Sequence, residues 1–309
     1  MKIKMILGLA ILALAFTPAA KKASFQFKLE DGKVYSQSTE IKGVIKQTIQ
    51  GQSQETKQTA TVHMNMELHE DAESNSVYNV WYTTIGMSVE TAMSGQNQSQ
   101  AFGSDTTDMD QVDPTSLILS QMTDEKFKAT IDRQGEVKNV EGLEEIIANA
   151  LPEDSVRATA MQSNISSSFG DGGFSKNIET VSAIIPEGKV KIGSSWTKES
   201  YTATGLPLLA KNTYTLKSME NNVATIEIDS ELTVDPDNAS TNLQGLDAVF
   251  YLEGTRTGTI KVDANTGWVI DANMTDDITG SLNISPNAQM PDGMNIPMEV
   301  KNNITITGE

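Results

Sequence analysis

The residues with the clearest chemical potential lie in TVHMNMELHED, residues 61–71, which hold both histidines of the 309-residue chain. His63, Asn65, Glu67 and His69 recur there at every second position. On a strand, side chains at i and i+2 share a face about 7 Å apart at the backbone, so Glu67 and His69 are placed to approach one ion. A zinc site takes three or four N, S or O ligands. No other segment contains histidine, and the chain has no cysteine, so the remaining ligands have no evident source. Met64, Met66 and Leu68 fill the intervening positions. The spacing therefore predicts the water-facing side of a strand whose core side is Met64, Met66 and Leu68, with no metal and no cofactor.

Other segments match catalytic patterns only in part. Ser195-Trp196-Thr197-Lys198 fits S-x-x-K, and Lys191-Ile192-Gly193 and Ser281-Leu282-Asn283 approach the companion motifs of serine acyltransferases. That chemistry needs a helix to set Lys one turn from Ser, whereas SSWTKESY reads as a strand, and the K-x-G precedes the serine. Asp263, Asn265 and Gly267 follow the start of a calcium loop, but Met274 stands where the closing glutamate belongs. VDANTGW is better read as a hairpin turn with glycine at positive φ. FGDGG, residues 169–173, lacks the Lys-Ser or Lys-Thr of a phosphate loop and reads as a helix stop. The acidic pairs Glu144-Glu145 and Asp276-Asp277 lack the aromatic platforms of a sugar cleft, since Trp81, Trp196 and Trp268 read as core anchors. With no G-x-S-x-G elbow and no cysteine, covalent hydrolases lose their parts. The expectation is a protein that is not an enzyme.

Charge and the N-terminus narrow the setting. The chain carries 23 Lys and Arg against 41 Asp and Glu, a net charge of −18. Phosphate binding needs clustered cations, so nucleic acid is not an expected partner. Residues 1–20, MKIKMILGLAILALAFTPAA, combine Lys2 and Lys4 with a 12-residue apolar run and small residues. This is the pattern of a signal peptide cleaved near Ala19, too short for a spanning helix of roughly 20 residues. The expected mature chain, residues 21–309, is a single domain in the periplasm or outside the cell, with no transmembrane segment.

The elements that must position these residues are mostly strands. Period-two alternation marks Phe25, Phe27 and Leu29; then Tyr35, Ile41, Ile45 and Ile49; then Ala60 to Leu68; and SVYNVWYTTIGMSVE is apolar on both parities near Trp81. GQSQETKQ and SGQNQSQ read as exposed hairpin tips. From about 105 to 185 the pattern turns helical. Asp113-Pro114 opens one helix, and Leu143, Ile146, Ile147 and Ala150 form the stripe of a second. A third is predicted from Pro152 to Phe169, and EKFKATIDRQGEVKNV reads as a hairpin turning at Gly135. Alternation returns from Pro186. Ile226, Ile228, Leu232 and Val234 keep one parity, as do Trp268, Ile270, Ala272, Met274, Ile278, Leu282 and Ile284, with Asp276 the one charged intruder, and Met298, Val300, Ile304 and Ile306 close the series. Strands this long must curve or bulge. The fold class predicted is α+β, mainly β: a large curved antiparallel sheet, an unclosed β-barrel, with helices packed on its concave side.

The stretches IIPEGKVKIGSSW and YLEGTRTGTIKVDANTGWV, with long strands around a helical middle, resemble a family of uncharacterised exported proteins from Bacteroidota-type bacteria. The layout is similar to the unclosed barrels of lipoprotein carriers and lipid-binding lipoproteins, although this chain has no cysteine for lipidation. The resemblance extends over about residues 21–309 and rests on turn and strand-entry signals. It supports the fold more than the function. The leading functional expectation comes from the 14 methionines and a sheet curved enough to enclose apolar volume: a non-enzymatic extracytoplasmic binding protein for a lipid or other apolar molecule. Met64, Met66, Met87, Met122, Met161, Leu143, Ile146, Ile147 and Met274 are the expected cavity lining, methionine being the adaptable residue of promiscuous apolar surfaces. The alternative is a cell-envelope interaction or structural module with a filled core, whose exposed hairpins meet a protein partner. An apolar void of several hundred cubic ångströms separates the two readings.

Overall fold

The computed structural model describes residues 22–93, 96–105, 113–151, 165–202, 206–243, 246–287 and 290–309. The expected signal peptide, Met161 and most of the helix expected after Pro152 lie outside them; only its last turn, 165–169, is described, and it is helical. The chain forms one antiparallel sheet of 13 strands. These are β1 (Val34–Ile49), β2 (Gln52–Asp71), β3 (Asn75–Met93), β4 (Gln96–Gly103), β5 (Phe127–Asp132), β6 (Val137–Glu141), β7 (Ser195–Tyr201), β8 (Leu208–Glu220), β9 (Val223–Val234), β10 (Ser240–Leu243), β11 (Leu246–Asp263), β12 (Val269–Ile284) and β13 (Met294–Gly308). The helices are α1 (Pro114–Met122), α2 (Leu143–Ala150) and α3 (Asp171–Ser182). The strand order is β6-β5-β3-β2-β1-β13-β12-β11-β9-β8-β7, with β4 added to β3 and β10 to β11. The first and last segments of the chain, β1 and β13, pair at the centre. The sheet curves but does not close, because β6 and β7 remain its two ends.

Local chemistry explains the hairpins. Gln50-Gly51 and Asn221-Asn222 take positive φ at both central positions, the primed turn geometry that matches strand twist. Asp263 Oδ1 accepts from the backbone N–H groups of Asn265 and Thr266 at 2.7 and 3.1 Å, and Gly267 sits at φ 71°. Asp263-Asn265-Gly267 is thus a turn, as its spacing predicts. Asp113 caps α1 by accepting from Ser116 N–H at 3.0 Å, and the β5–β6 hairpin turns at Gly135.

Along each strand the inward parity is apolar and the outward parity polar. In β13, Ile296, Met298, Val300, Ile304 and Ile306 are buried while Glu299, Lys301 and Asn303 are exposed. That is the reverse of a barrel presenting apolar residues to lipid. Among the described residues no helix is long and apolar enough to cross a membrane.

The core is divided in two. The larger cluster joins Met66, Tyr78, Tyr82, Ile85, Ile228 and Met274 of the sheet to Ile118, Leu119 and Met122 of α1, Leu143 and Ile147 of α2 and Phe174, Ile178 and Val181 of α3. The smaller is made of Leu208, Ala210, Leu232, Ala248, Leu252, Ile278, Leu282, Ile296, Met298 and Val300, so no helix contributes to it. Phe25, Phe27 and Leu29 are buried as their parity predicts, but their segment is no strand of the sheet. It runs extended across one end, donating from Phe27 N–H to the Arg133 carbonyl at 2.9 Å and from Lys28 N–H to the Thr266 carbonyl at 2.8 Å.

One sequence reading is incomplete and one needs correction. FGDGG does end the helix that runs to Phe169, but a further helix that the sequence reading lacked, α3, starts at Asp171 directly after Gly170. A Cβ on Gly173 would lie 2.5 Å from the Ser168 backbone, so the glycine permits a close packing that reads, in sequence, as a helix terminator. In GQSQETKQ, residues 51–53 and 57 are exposed and the rest half-buried, and residues 96–100 of SGQNQSQ are exposed; both stretches are mostly β-strand rather than tips, because the long β1–β2 and β3–β4 ladders carry pairing to Ile49–Gln52 and Met93–Gln96.

Candidate functional site

The register places six inward-facing polar residues in one row across six neighbouring strands. Lys198 (β7) pairs with Asn212 (β8), Asn212 with Ser230 (β9), Ser230 with Arg256 (β11), Arg256 with Asp276 (β12) and Asp276 with Asn302 (β13). Gly43 and Gln58 continue the row on β1 and β2. The apolar row on one side is Ile304, Met274, Ile228 and Tyr214, and that on the other is Val300, Ile278, Leu232 and Ala210. This belt is the boundary between the two apolar clusters.

At its centre Arg256 and Asp276 are 1 % and 0 % exposed. Arg256 Nε donates to Asp276 Oδ1 at 2.7 Å and Nη2 to Oδ2 at 3.0 Å, a bidentate fork that fixes both groups. Gly254 and Gly258 flank Arg256 on the same parity. A Cβ on either would fall 2.4 or 2.3 Å from the β12 backbone, so these glycines let β12 curl tightly over the guanidinium. Ser230 Oγ donates to Asn212 Oδ1 at 2.6 Å, and Asn212 Nδ2 to Ser200 Oγ at 2.9 Å. Burial pushes the Tyr214 phenol up, an effect opposed by the charge of Arg256. Asn302 Oδ1 is buried without a hydrogen-bond partner. Both oxygens of the Asp276 carboxylate are engaged by Arg256, and its side chain is fully buried. Its chemistry is structural.

Lys198 ends the belt at the seam between the two sheet ends. Its Nζ lies 3.6 Å from Glu136 Oε1, an ion pair too long for a hydrogen bond, and is buried. Here α3 packs against both β6 and β7. Val137 N–H of β6 donates to Glu179 Oε1 at 2.8 Å, and Thr180 Oγ1 donates to the Tyr201 carbonyl of β7 at 3.4 Å. Trp196 Nε1 reaches the Ile184 carbonyl at 2.9 Å. The helix therefore covers both sheet ends with hydrogen bonds, a standard means of protecting an edge. A cleft of about 260 Å³ is lined here by Glu136, Lys138, Glu179, Glu187, Lys198 and Glu199. Burial raises the Glu179 carboxyl above its ordinary value, opposed by the Val137 N–H. Burial also pushes Asp132 upward, but Lys138 and backbone N–H groups outweigh it and hold that carboxyl low.

A larger cleft of about 620 Å³ opens at the end crossed by the N-terminal segment, between Lys28, Glu30, Asp31, His69, Glu70 and Asp71. Lys28, then Arg133 and Ser76, hold the Asp71 carboxyl far below its ordinary value. Neither cleft is an apolar void.

The histidine-bearing strand behaves as its spacing predicts. His63 and His69 are exposed while Met64 and Met66 are buried. Glu67 accepts from Lys126 Nζ at 2.7 Å and Asn79 Nδ2 at 3.1 Å, which hold its carboxyl below the usual value. Among the described residues no cluster of three or more His, Asp or Glu could hold a metal. Of the tryptophans, Trp268 is buried, Trp196 is partly buried at the seam, and Trp81 stands outside with Lys126 Nζ 4.3 Å from its ring centroid. The expectation of three core anchors thus fails at Trp81, which is half-buried on the outward parity beside Lys126 and opposite Asn65. Of the expected cavity lining, Met64, Met66, Met122, Leu143, Ile147 and Met274 pack in the larger core and Ile146 lies partly buried against it. Met87 is 38 % exposed and joins none of them.

Sequence reading marked Asp276 as an intruder but left Arg256, Asn212, Ser230 and Asn302 unremarked. The missing signal was hairpin arithmetic: Arg256 and Asp276 stand symmetrically about Thr266 in the β11–β12 turn.

A model of a family of unknown function, DUF6263, matches residues 73–269. No curated protein matches the chain. Among solved structures, Pseudomonas aeruginosa OccK7 (OpdD) is similar at 7% identity and a TM-score of 0.23, over 90% of this chain and 99% of that one. The translocator domain of the autotransporter NalP from Neisseria meningitidis gives 7% and 0.18, over 90% and 89%. The β domain of the Bordetella autotransporter BrkA gives 7% and 0.19, over 89% and 99%. Likenesses this low carry no argument about fold or role.

Proposed function

We propose, from the premise that the chain belongs to the DUF6263 family of unknown function, that it is a non-enzymatic, exported interaction module of a bacterial cell envelope. The observation that supports this reading is the packing of the described residues beneath the sheet. Two packed apolar clusters meet at a buried belt of mutually bonded polar groups, and the clefts that open are lined by charge. A carrier of apolar ligands needs a largely apolar cavity, so the lipid-carrier reading becomes the alternative outcome. The charges of the belt are turned on each other rather than toward a cleft, which supports a structural role for Arg256 and Asp276.

The binding surface on this reading is the part of the sheet that leaves the core. Gln52, Ser53 and Lys57 of β2, Met87 and Glu90 of β3 and Gln96–Ala101 of β4 are exposed. The leader pattern in residues 1–20 supports export. Native mass spectrometry of protein purified from its own envelope fraction tests the reading. The expected spectrum shows protein without small-molecule adducts, and N-terminal sequencing shows a start near Ala20. A stoichiometric co-purified lipid would establish the carrier instead.

A further inference from the structure

The exposed ribbon has one edge that differs from every other edge of the sheet. β6 and β7 carry charged residues and are covered by α3, and β10 is only four residues long. β4 runs eight residues, QNQSQAFG, without one charge in a chain of net charge −18. Natural edges are ordinarily blunted by charge, proline, short length or a cover. Helix α1 packs against β4 where Gly103 N–H meets Ser116, but Gln96–Ala101 carry no charge or proline, and among the described residues no strand pairs with their outer side.

The direction of its free groups can be read from its last residues. Ser104 N–H donates to the Ile85 carbonyl of β3, whereas Gly103 N–H turns away from β3 and donates to Ser116 Oγ at 3.0 Å. Alternation then turns the N–H and C=O of Asn97, Ser99 and Ala101 away from β3. Among the described residues these groups have no partner.

We propose, building on the interaction-module reading, that this edge pairs antiparallel with the same edge of a second copy of the chain, about a twofold axis at Ser99. In that register Ser99 faces its own copy and Asn97 faces Ala101, so every outward N–H and C=O of the three residues meets its complement. Gln98 then lies opposite Gln100, where their amides can bond, and Gln96 lies along Phe102. No charge faces a like charge, although the chain as a whole carries a net charge of −18. The contact is isologous. A single strand pair is below the area of a standard stable interface, so the dimer should be weak and concentration-dependent.

Sedimentation velocity across a micromolar concentration series tests this, with three variants beside the wild-type chain. Ser99→Lys sets two ammonium groups opposite each other at the axis. Ser99→Pro removes a donor that only the dimer uses, since that N–H faces away from β3. Thr279→Lys adds the same charge on the exposed face of β12 and serves as control. The expected result is a shift toward twice the chain mass with rising concentration for wild type and Thr279→Lys, and none for either Ser99 variant, all four giving the same circular dichroism spectrum. A wild-type chain that stays monomeric, or Ser99 variants that dimerise as wild type does, would overturn the pairing. Photo-cross-linking from Gln98 in cells separates the two levels. An adduct to a different protein from a monomeric chain overturns self-pairing alone, while a stoichiometric lipid in the purified protein overturns the interaction-module reading beneath it.

Discussion

Arg256 and Asp276 show why one buried charge differs from two. Removing either partner strands the other in an apolar interior, which typically costs about 3–5 kcal/mol, whereas replacing both by apolar groups is often neutral or stabilising. Asp276→Leu should therefore lower the urea-unfolding free energy by about that amount, and Arg256→Met with Asp276→Leu should recover most of it. Equal, small effects in the single and double variants would show that the pair is solvated. Two carboxylates should give opposite pH signatures. Asp71 is held low in the folded state, so its stabilisation is present above the ordinary value of 3.8 and is lost as pH falls below it. Glu179 is held high, so it favours folding when protonated, and that contribution is lost as pH rises from about its ordinary 4.5 through its raised value. In urea melts from pH 3 to 7, Asp71→Asn should flatten the acid-side loss. Glu179→Gln, which keeps an acceptor for Val137 N–H, should remove a stability decrease at the less acidic end of that range.

Among the elements, α3 and the β5–β6 hairpin hold the two ends of the sheet. Gly135 has φ 82°, and a Cβ there would lie 1.9 Å from the Ser182 carbonyl oxygen at the end of α3. Gly135→Ala should destabilise the protein by more than the roughly 1 kcal/mol of a simple left-handed penalty, because hairpin and helix must separate to admit the methyl. Chemical denaturation with intact far-UV circular dichroism at low temperature would measure this. Ile147 of α2 is fully buried in the larger core, so Ile147→Asp, which places a carboxylate among apolar neighbours, should cost several kcal/mol and unfold the chain. Survival of the fold would mean that the site is wet and would favour a cavity. Alternation and capping made most elements legible: β12 and β13 through parity, α1 through Asp113-Pro114, and α2 through its stripe. What failed was α3, whose Gly172 and Gly173 carry poor helix propensity. Its helicity comes from packing Phe174, Ile178 and Val181 against the core.

For the molecule as a whole, size allows a chain without cysteine to stand on burial alone. The curved sheet turns its apolar parity inward and its charge outward, which suits a water-filled compartment. The N-terminal segment crosses one end and α3 covers the seam, so the body is enclosed by elements that are not part of its ladder. The β2–β3–β4 ribbon is the exception. With polar residues on much of both faces it gains little from burial, and its long pairing rests on the cross-strand ladders of β2 with β3 and β3 with β4. If the ribbon serves binding, opening it should require less free energy than opening the core. Native-state hydrogen exchange should show Gln96–Ala101 exchanging faster than Ala272–Ile278 of β12. Equal protection of the two would show that something covers the ribbon in solution.

Period-two parity, turn chemistry and helix caps are local, and they were sufficient to specify a mainly β chain with long antiparallel strands, a helical middle and a solvent-facing histidine strand. Which polar residues would meet was a long-range matter. Asp276 reads alone as a flaw in an apolar face, and only the pairing of β12 with β11 and β13 brings it to Arg256 and Asn302. The same holds for packing: the apolar stripes are read from each element alone, but which of them meet depends on how closely β11 and β12 approach at Gly254 and Gly258 and on how the helices pack beneath the sheet. Side-chain period is a property of each strand, but neighbours and cover belong to the folded sheet, and it is those that bring Arg256 to Asp276 and, among the described residues, leave Gln96–Ala101 of β4 without a second strand.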